Sequence, residues 1–290
     1  MKLLAPLACA AFVSGCSHGL LLQDHRLAGR VWSARAGAFV TPQQALERAA
    51  RARHVILGEV HDNPEHHRLH RIALDALAQH GAARVLAMEQ FDTERQEAID
   101  VARARREGVE ALAEAGKFDR EGWDWPLYRP LVEFALERGW PLAAANLSRA
   151  RSRTIVDDPA RSGLPAADPV LRAALERDMI EGHCGERPEA KRLIGMVEAQ
   201  RARDAEMARA LLARGDSASV LIAGNGHARR DRGVPLYVRD AGLVAIGFVE
   251  VETGKTVPSD YIADGAASFD FIWFTPRAAR EDPCTRRLLH

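Results

Sequence analysis

The chain has 290 residues, and its 40 Lys and Arg balance 40 Asp and Glu, so the formal net charge at pH 7 is zero. A nucleic-acid partner would leave a basic excess and is therefore excluded. The length is sufficient for one large hydrophobic core or two small ones.

Residues 1–16 are predicted to be a targeting signal that lies outside the fold. Lys2 supplies the positive end, and the apolar stretch that follows it up to Val13 is too short to span a bilayer.

Small residues stand directly before Cys16, as in a bacterial lipobox. This resemblance implies cleavage before Cys16 and a lipid such as palmitate on that residue. Ser17 follows it, which in such signals implies the periplasmic face of the outer membrane. The alternative is an ordinary secretory signal that is cut near Ala10 or Gly15.

Two cysteines remain after the signal and the lipid site, namely Cys184 and Cys284. An oxidising compartment favours a disulfide between them, and two separate thiols are the alternative.

After a tether at residues 17–40, with one short strand over residues 29–32, a single α/β domain is predicted at 41–290. Short apolar runs alternate with helical patterns, which is typical of a parallel sheet with helices on both faces. A helical insertion is predicted at about 92–138 and a mobile loop at 148–168. The fold class is a three-layer α/β protein with a parallel sheet that is mixed at its edge. Its main strands are predicted at 54–58, 84–88, 140–145, 219–223, 243–251 and 271–274.

Two of these strands end in the same pattern, Gly-x-x-His, at Gly58 to His61 and at Gly224 to His227. The carboxyl ends of parallel strands share one edge of a sheet, where ligands bind. The two histidines are therefore predicted to share a site. Other polar residues predicted at this edge are Glu59, Glu89, Asn146 and Asn225.

A carboxylate with neutral imidazoles suits a transition metal, or the same groups could act as acid and base. We predict His61, His227 and Glu89 as ligands of a divalent ion such as zinc, manganese or iron. The alternative is that each of these side chains has a structural role and caps a helix or forms a hydrogen bond with a loop amide.

Further histidines and aromatic residues lie near this edge. His66 and His70 share one face of the next helix; His66 is the better site candidate, and His70 is predicted to be exposed. Trp125 and Tyr128 lie in an aromatic cluster that suits a flat ligand such as a porphyrin, with a phenol as iron ligand. The alternative is an aromatic plug in the core.

Together, in order, the motifs resemble those of the ChaN-type haem-binding uptake lipoproteins of the Tiki superfamily. They are Gly58 to His67, Met88-Glu89, Trp125 with Tyr128 and Pro130, Ala145-Asn146, Gln200 with Asp204, Met207 and Ala208, and Ala223 to His227 followed by Gly233-Val-Pro235. Two departures are Leu147-Ser148, where Pro-Arg is expected, and His70, where Gln is more usual.

The resemblance implies a lipid-anchored binding protein for haem in iron uptake, with an outer-membrane receptor as partner and a homodimer enclosing stacked haems. The wider superfamily implies an alternative, a metal-dependent hydrolase of protease or esterase type in which Glu59 and Glu89 are catalytic. The predicted haem-binding residues are Glu59, His61, His66, Trp125, Tyr128, Asn146, Asn225, His227 and Arg229.

Overall fold

The computed structural model describes residues 19–81, 83–213, 215, 217–238, 242–262, 268–282 and 284–285. The predicted signal and Cys16 lie outside these residues. Within them, no helix is both long enough and apolar enough to cross a bilayer.

The described strands are β1 (Leu20–Leu21), β2 (Val31–Ser33), β3 (Ala38–Val40), β4 (His54–Glu59), β5 (Val85–Asp92), β6 (Leu142–Asn146), β7 (Ser219–Gly224), β8 (Leu243–Glu250), β9 (Phe271–Thr275) and β10 (Arg277–Ala278). The described α-helices are α1 (Pro42–Ala50), α2 (Pro64–Gln79), α3 (Gln96–Ala104), α4 (Val109–Ala115), α5 (Trp125–Glu137), α6 (Arg149–Asp157), α7 (Pro169–Gly182), α8 (Ala190–Leu212) and α9 (Asn225–Ala228).

Eight strands form one sheet in the order β3-β2-β9-β8-β4-β7-β5-β6. The pairings from β9 through to β6 are parallel, whereas β2 pairs antiparallel with both β9 and β3. The predicted α/β class, with a parallel sheet that is mixed at one edge, is confirmed. Strands β1 and β10 form a separate antiparallel pair.

Helices cover both faces of this sheet because its central strands are apolar on both sides. Along β4, Val55 and Leu57 face the core under α1 to α5, and Ile56 between them faces the core under α8. Strands that are buried on both faces have continuous apolar sequences. These short apolar runs are the signal from which the strands were predicted.

Helix α2 begins where the local sequence specifies it. The side chain of Asn63 accepts a hydrogen bond from the N–H of Glu65 at 2.9 Å, and Pro64 occupies the first helical position, where no donor is needed. This cap starts the helix five residues after β4 ends. The first two turns of α2 therefore lie beside the end of that strand.

Two segments differ from the sequence prediction. The predicted tether at 17–40 contributes β1, β2 and β3 from Leu20 on, because the apolar side chains of 31–40 have a partner in β9. The loop predicted at 148–168 is largely helical: Ser148 caps α6, and α6 packs closely on α8 at Gly195. A Cβ at Gly195 would lie 2.1 Å from the carbonyl oxygen of Val156.

Cys184, just after α7, forms a disulfide with Cys284, and their Cα atoms are 5.5 Å apart. The two cysteines are separated by 100 residues in sequence. Closing so long a loop restricts the unfolded chain, which in the chain-entropy account stabilises the fold by about 4–5 kcal/mol.

Candidate functional site

The carboxyl ends of four neighbouring strands supply the polar side chains of one edge. Glu59 is the last residue of β4, Glu89 lies in β5, and Asn146 ends β6. Strand β7 runs directly into the short helix α9, which carries His227. The structure therefore brings together most of the residues that the sequence predicted for this edge.

Glu59 is fully buried and occupies the centre of a hydrogen-bond network. Its Oε1 accepts hydrogen bonds from the hydroxyl of Tyr128 at 2.5 Å and from Nδ1 of His61 at 2.8 Å. Burial alone would raise the pKa of Glu59, but the imidazoles of His67, His61 and His70 lower it to well below its ordinary range. Glu59 is therefore a carboxylate at neutral pH.

His61 is held by one ring nitrogen and presents the other. Nδ1 donates to Glu59, and Nε2 lies over Gly224, where an added Cβ would be 2.9 Å away. Trp123 packs edge-on against the ring, with centroids 4.7 Å apart. Burial lowers the pKa of His61, but its hydrogen bond to Glu59 and the charge of Glu89 outweigh this effect, so the pKa is raised.

His227 lies between two carboxylates. Its Nδ1 donates to Asp204 Oδ1 at 2.7 Å, and its Nε2 lies 3.5 Å from Glu89 Oε1. Burial disfavours the imidazolium, but Glu89 and Asp204 raise the pKa of His227 to about 10. His227 is a buried cation at neutral pH.

The two carboxylates beside His227 are themselves held in place. Glu89 Oε2 accepts the N–H of Gly224 at 2.7 Å, and the charge of His227 lowers the pKa of Glu89 to about 2 against the effect of burial. Burial raises the pKa of Asp204 to about 6, although His227 opposes this. The amide Nε2 of Gln200 lies 3.3 Å from His227 Nδ1, so Gln200 and Asp204 of α8 both reach this histidine.

The metal set that we predicted is not assembled as expected. Within the described part of the chain, one group places three ligand atoms within 4.8 Å of one another, and it consists of Glu59, His67 and His70. His61, Glu89 and His227 lie around the same strand ends, and one atom of each is bound, to Glu59, to the N–H of Gly224 and to Asp204 respectively; this set stays a prediction.

Two histidines of α2, His66 and His70, are both buried. His66 is structural: its Nδ1 accepts the N–H of Val60 at 2.8 Å, and its Nε2 donates to the hydroxyl of Thr275 at 2.7 Å. Burial lowers the pKa of His66 to well below its ordinary value. His70, predicted to be exposed, is fully buried, because it lies on the same helical face as Leu74 and Leu77.

One residue of the aromatic cluster, Trp123, lies at this edge although it was not predicted as a site residue. Trp125 lies in the core, donates its N–H to Glu110 at 3.0 Å and packs on Phe118. Trp123 instead lines the cleft beside His61.

Tyr128 is fully buried in this cluster, and its hydroxyl donates to Glu59. Burial and the adjacent carboxylate raise the pKa of Tyr128 far above its ordinary value. This phenol is not a tyrosinate at neutral pH.

A cleft of about 490 Å³ opens beside His61. This volume lies within the roughly 300–1,000 Å³ of small-molecule sites. Its walls combine one imidazole, one indole, acidic and amide groups, and three cationic side chains. They are His61, Glu89, Gln90, Asp92, Lys117, Asp119, Gly122, Trp123, Asn146, Leu147, Arg149 and Arg203.

Of the remaining predicted residues, Asn146 lines this cleft, whereas Asn225 and Arg229 make contacts elsewhere. Asn146 lines it, and its Oδ1 has no hydrogen-bond partner. Asn225 donates to the carbonyl of Phe248 at 2.6 Å and packs against Gly58, so it joins α9 to the sheet. Arg229 is paired with Asp231 at 2.8 Å.

The fold and this edge define an α/β protein with a cleft at the carboxyl ends of its parallel strands, and one histidine and several carboxylates line this cleft. The sequence profile of the family described as "Haem-binding uptake, Tiki superfamily, ChaN" matches residues 45–238. The chain belongs to this family, as its motifs predicted.

Solved structures agree with the fold. The chain is similar to ChaN of Campylobacter jejuni, described with cofacial haem binding, at 20% identity and a TM-score of 0.70, over 84% of this chain and 95% of that chain. It is also similar to the erythromycin esterase EreC at 12% identity, over 83% and 94% of the two chains, but the TM-score of 0.47 is too low to carry an argument. No curated protein sequence gives a significant match.

Proposed function

We propose that this protein binds haem in the cleft beside His61 and takes part in haem or iron uptake in the bacterial envelope. The observation that carries this proposal is His61 itself. Its Nδ1 is bound to a buried carboxylate, and its Nε2 stands at the cleft. An imidazole whose second nitrogen donates to a carboxylate is oriented and made more basic as a metal ligand.

The other walls of the cleft also fit a porphyrin. Trp123 offers a flat apolar surface next to the imidazole. Lys117, Arg149 and Arg203 lie around the opening, where cationic side chains would pair with the propionates of haem. When bound, haem would supply an iron whose properties depend on its axial ligand and on the polarity around it.

Tyr128 does not fit the role of axial ligand. A tyrosine that binds iron does so as a phenolate, and burial beside Glu59 strongly disfavours that form. Its hydroxyl instead helps to hold Glu59, which in turn holds His61. We therefore assign the iron contact to His61 and a supporting position to Tyr128.

A haem titration of the full-length protein in detergent tests this proposal. The wild-type protein should shift the Soret band at micromolar haem, and His61→Ala should weaken the affinity at least tenfold and alter the band position. His80→Ala, an exposed histidine at the end of α2, is the matched control and should bind as wild type does. A wild-type protein without a Soret shift, or a His61→Ala protein with an unchanged spectrum, would contradict the proposal.

As part of this uptake role, we further propose a lipid anchor on Cys16 at the periplasmic face of the outer membrane and an outer-membrane receptor as partner. Cys16→Ser should move the protein out of the membrane fraction; a variant that stays there would exclude this anchor. A homodimer with facing haems is also proposed, because cofacial haem binding is described for the Campylobacter jejuni protein. Sedimentation with and without haem tests it: a monomer in both states would exclude the dimer.

A second candidate is hydrolysis, favoured by the Glu59–His61 pair. An imidazole that is backed by a carboxylate and open to a cleft can take a proton from an attacking water. Glu89 and the cationic His227 would then line the reacting centre. Hydrolysis of p-nitrophenyl acetate should rise with pH through a raised histidine pKa and disappear in His61→Ala. Equal rates for the two proteins would reject this activity.

A further inference from the structure

A buried trio of side chains lies under the cleft and is not used by the proposed haem contact, apart from the support that Glu59 gives to His61. It consists of Glu59 at the end of β4 with His67 and His70 on α2. Their side chains are 0%, 4% and 0% exposed. One ligand atom from each lies within 4.8 Å of the other two.

The facing atoms of Glu59 and His67 are both lone-pair acceptors. Nε2 of His67 donates to the carbonyl of His61 at 2.9 Å, so in the neutral ring Nδ1 carries no proton. This Nδ1 lies 3.9 Å from Glu59 Oε2. Neither atom has a hydrogen-bond partner.

The two oxygens of Glu59 differ sharply. Oε1 receives the hydroxyl of Tyr128, Nδ1 of His61 and, at 3.4 Å, the amide of Gln90. Oε2 receives no donor, although it carries half of a buried negative charge. Buried carboxylate oxygens are normally paired or bound to a cation, so the free oxygen points to a missing ligand.

His70 completes this arrangement. Its Nδ1 lies 3.3 Å from Glu59 Oε2, and neither of its ring nitrogens makes a hydrogen bond of good geometry. The ring is otherwise enclosed by Phe248, with centroids 5.1 Å apart, and by His67. A cation between the three side chains would satisfy all the open atoms that face one another.

We propose that Glu59 Oε2, His67 Nδ1 and a ring nitrogen of His70 bind a divalent transition-metal ion, with zinc as the best match. Zinc takes imidazole nitrogens and carboxylate oxygens, and its tetrahedral ligands are separated by about 3.4 Å. The separation of 3.3 Å already matches that value, and the separation of 3.9 Å needs a contraction of only about 0.5 Å. The outer contacts fit as well, because a ligating histidine usually donates its other N–H to a carbonyl or a carboxylate, as His67 does.

The ion would act on the cleft through Glu59. One oxygen of this carboxylate would bind the metal while the other keeps His61 in place, so the metal would fix the position of the proposed haem ligand from behind. The site itself does not depend on haem, because none of its three residues lines the cleft.

Metal titration of the full-length protein tests the site directly. The protein, extracted in detergent and stripped with a chelator, is titrated with Co²⁺ alone and then with Zn²⁺. One equivalent of Co²⁺ should bind with the visible absorption of a low-coordinate ion, and Zn²⁺ should displace it. His70→Leu should lower the affinity for zinc by more than about a hundredfold, because loss of even an outer contact costs 10- to 100-fold.

His66→Leu is the matched control, since it makes the same change on the same helix at equal burial and should still bind one equivalent. If His66→Leu does not fold, His80→Ala takes its place. A wild-type protein that binds neither ion overturns the proposal without any variant, and so does zinc binding that survives in both His70→Leu and Glu59→Gln. His70→Leu should still shift the Soret band with haem, so failure of the metal site and failure of haem binding give different results.

Discussion

Two groups of glutamate and histidine lie at the same edge of the sheet. The hydrogen bonding of the facing atoms is complete in one group and incomplete in the other. In the Glu89 group, His227 is held between Glu89 and Asp204, and Glu89 also accepts the N–H of Gly224. In the Glu59 group, one carboxylate oxygen and three ring nitrogens of His67 and His70 have no hydrogen-bond partner.

The difference comes from the third member of each group. Helix α8 brings a second carboxylate, Asp204, to His227, so one imidazolium is paired with two carboxylates and the group is closed. Helix α2 brings two imidazoles to Glu59, and their facing ring nitrogens have no hydrogen-bond partner. The same residue types thus form a stabilising ion network on β5 and β7 and an open donor set on β4.

Removing Glu89 should have the largest effect on stability. Glu89→Ala leaves the N–H of Gly224 without its acceptor and His227 with one carboxylate, and breaking such buried pairs costs about 3–5 kcal/mol. Urea unfolding at pH 7 measures the loss. The exposed Glu97→Ala is the control and should change stability by less than about 0.5 kcal/mol. Similar midpoints for both variants would mean that the network is not closed.

Alkaline pH should weaken the same network. The pKa of His227 rises from 6.5 to about 10 on folding, so its contribution is fully present below pH 6.5 and is lost as pH rises through 10. The free energy of unfolding should fall by up to about 1.4 kcal/mol per pH unit in that window. Urea unfolding between pH 7 and 10 checks this, and Glu89→Ala should flatten the slope. An equally steep slope in the variant would assign it to another group.

The open group should respond least in metal-free protein. His70→Leu replaces a ring without hydrogen bonds of good geometry by an apolar side chain of similar size, so we expect a change of less than about 1.5 kcal/mol. His66→Leu should cost about 1–3 kcal/mol, because the N–H of Val60 and the hydroxyl of Thr275 lose their partner. Urea unfolding after chelation compares the two. A larger loss for His70→Leu would show that its ring nitrogens are already satisfied.

The sequence predicted the sheet and the strand-end residues well, because parallel strands put successive carboxyl ends on one edge. Glu59, His61, Glu89 and Asn146 all reach that edge, and His227 joins them through α9. The predicted metal set of His61, His227 and Glu89 stays a prediction, because spacing along the chain does not tell which ring nitrogens are taken by other side chains. The partner of His61, Glu59, is only two residues away, whereas Asp204, the partner of His227, is 23 residues away on α8.

The burial of His70 on α2 could have been predicted from the sequence. The predicted exposure of His70 was wrong, because its position relative to Leu74 and Leu77 follows the helical period of a buried face. Trp123 and Gln90 gave no such signal, since their places depend on how α5 and β5 approach β4.

The bond between Cys184 and Cys284 has a consequence for living cells. It forms only where thiols can be oxidised, so the cross-linked fraction of the protein records where each molecule has been. Alkylation of free thiols before and after reduction, read as a mobility shift on a gel, would separate molecules that have met an oxidising compartment from those that have not. The fold thus carries its own record of its redox surroundings, independent of any ligand.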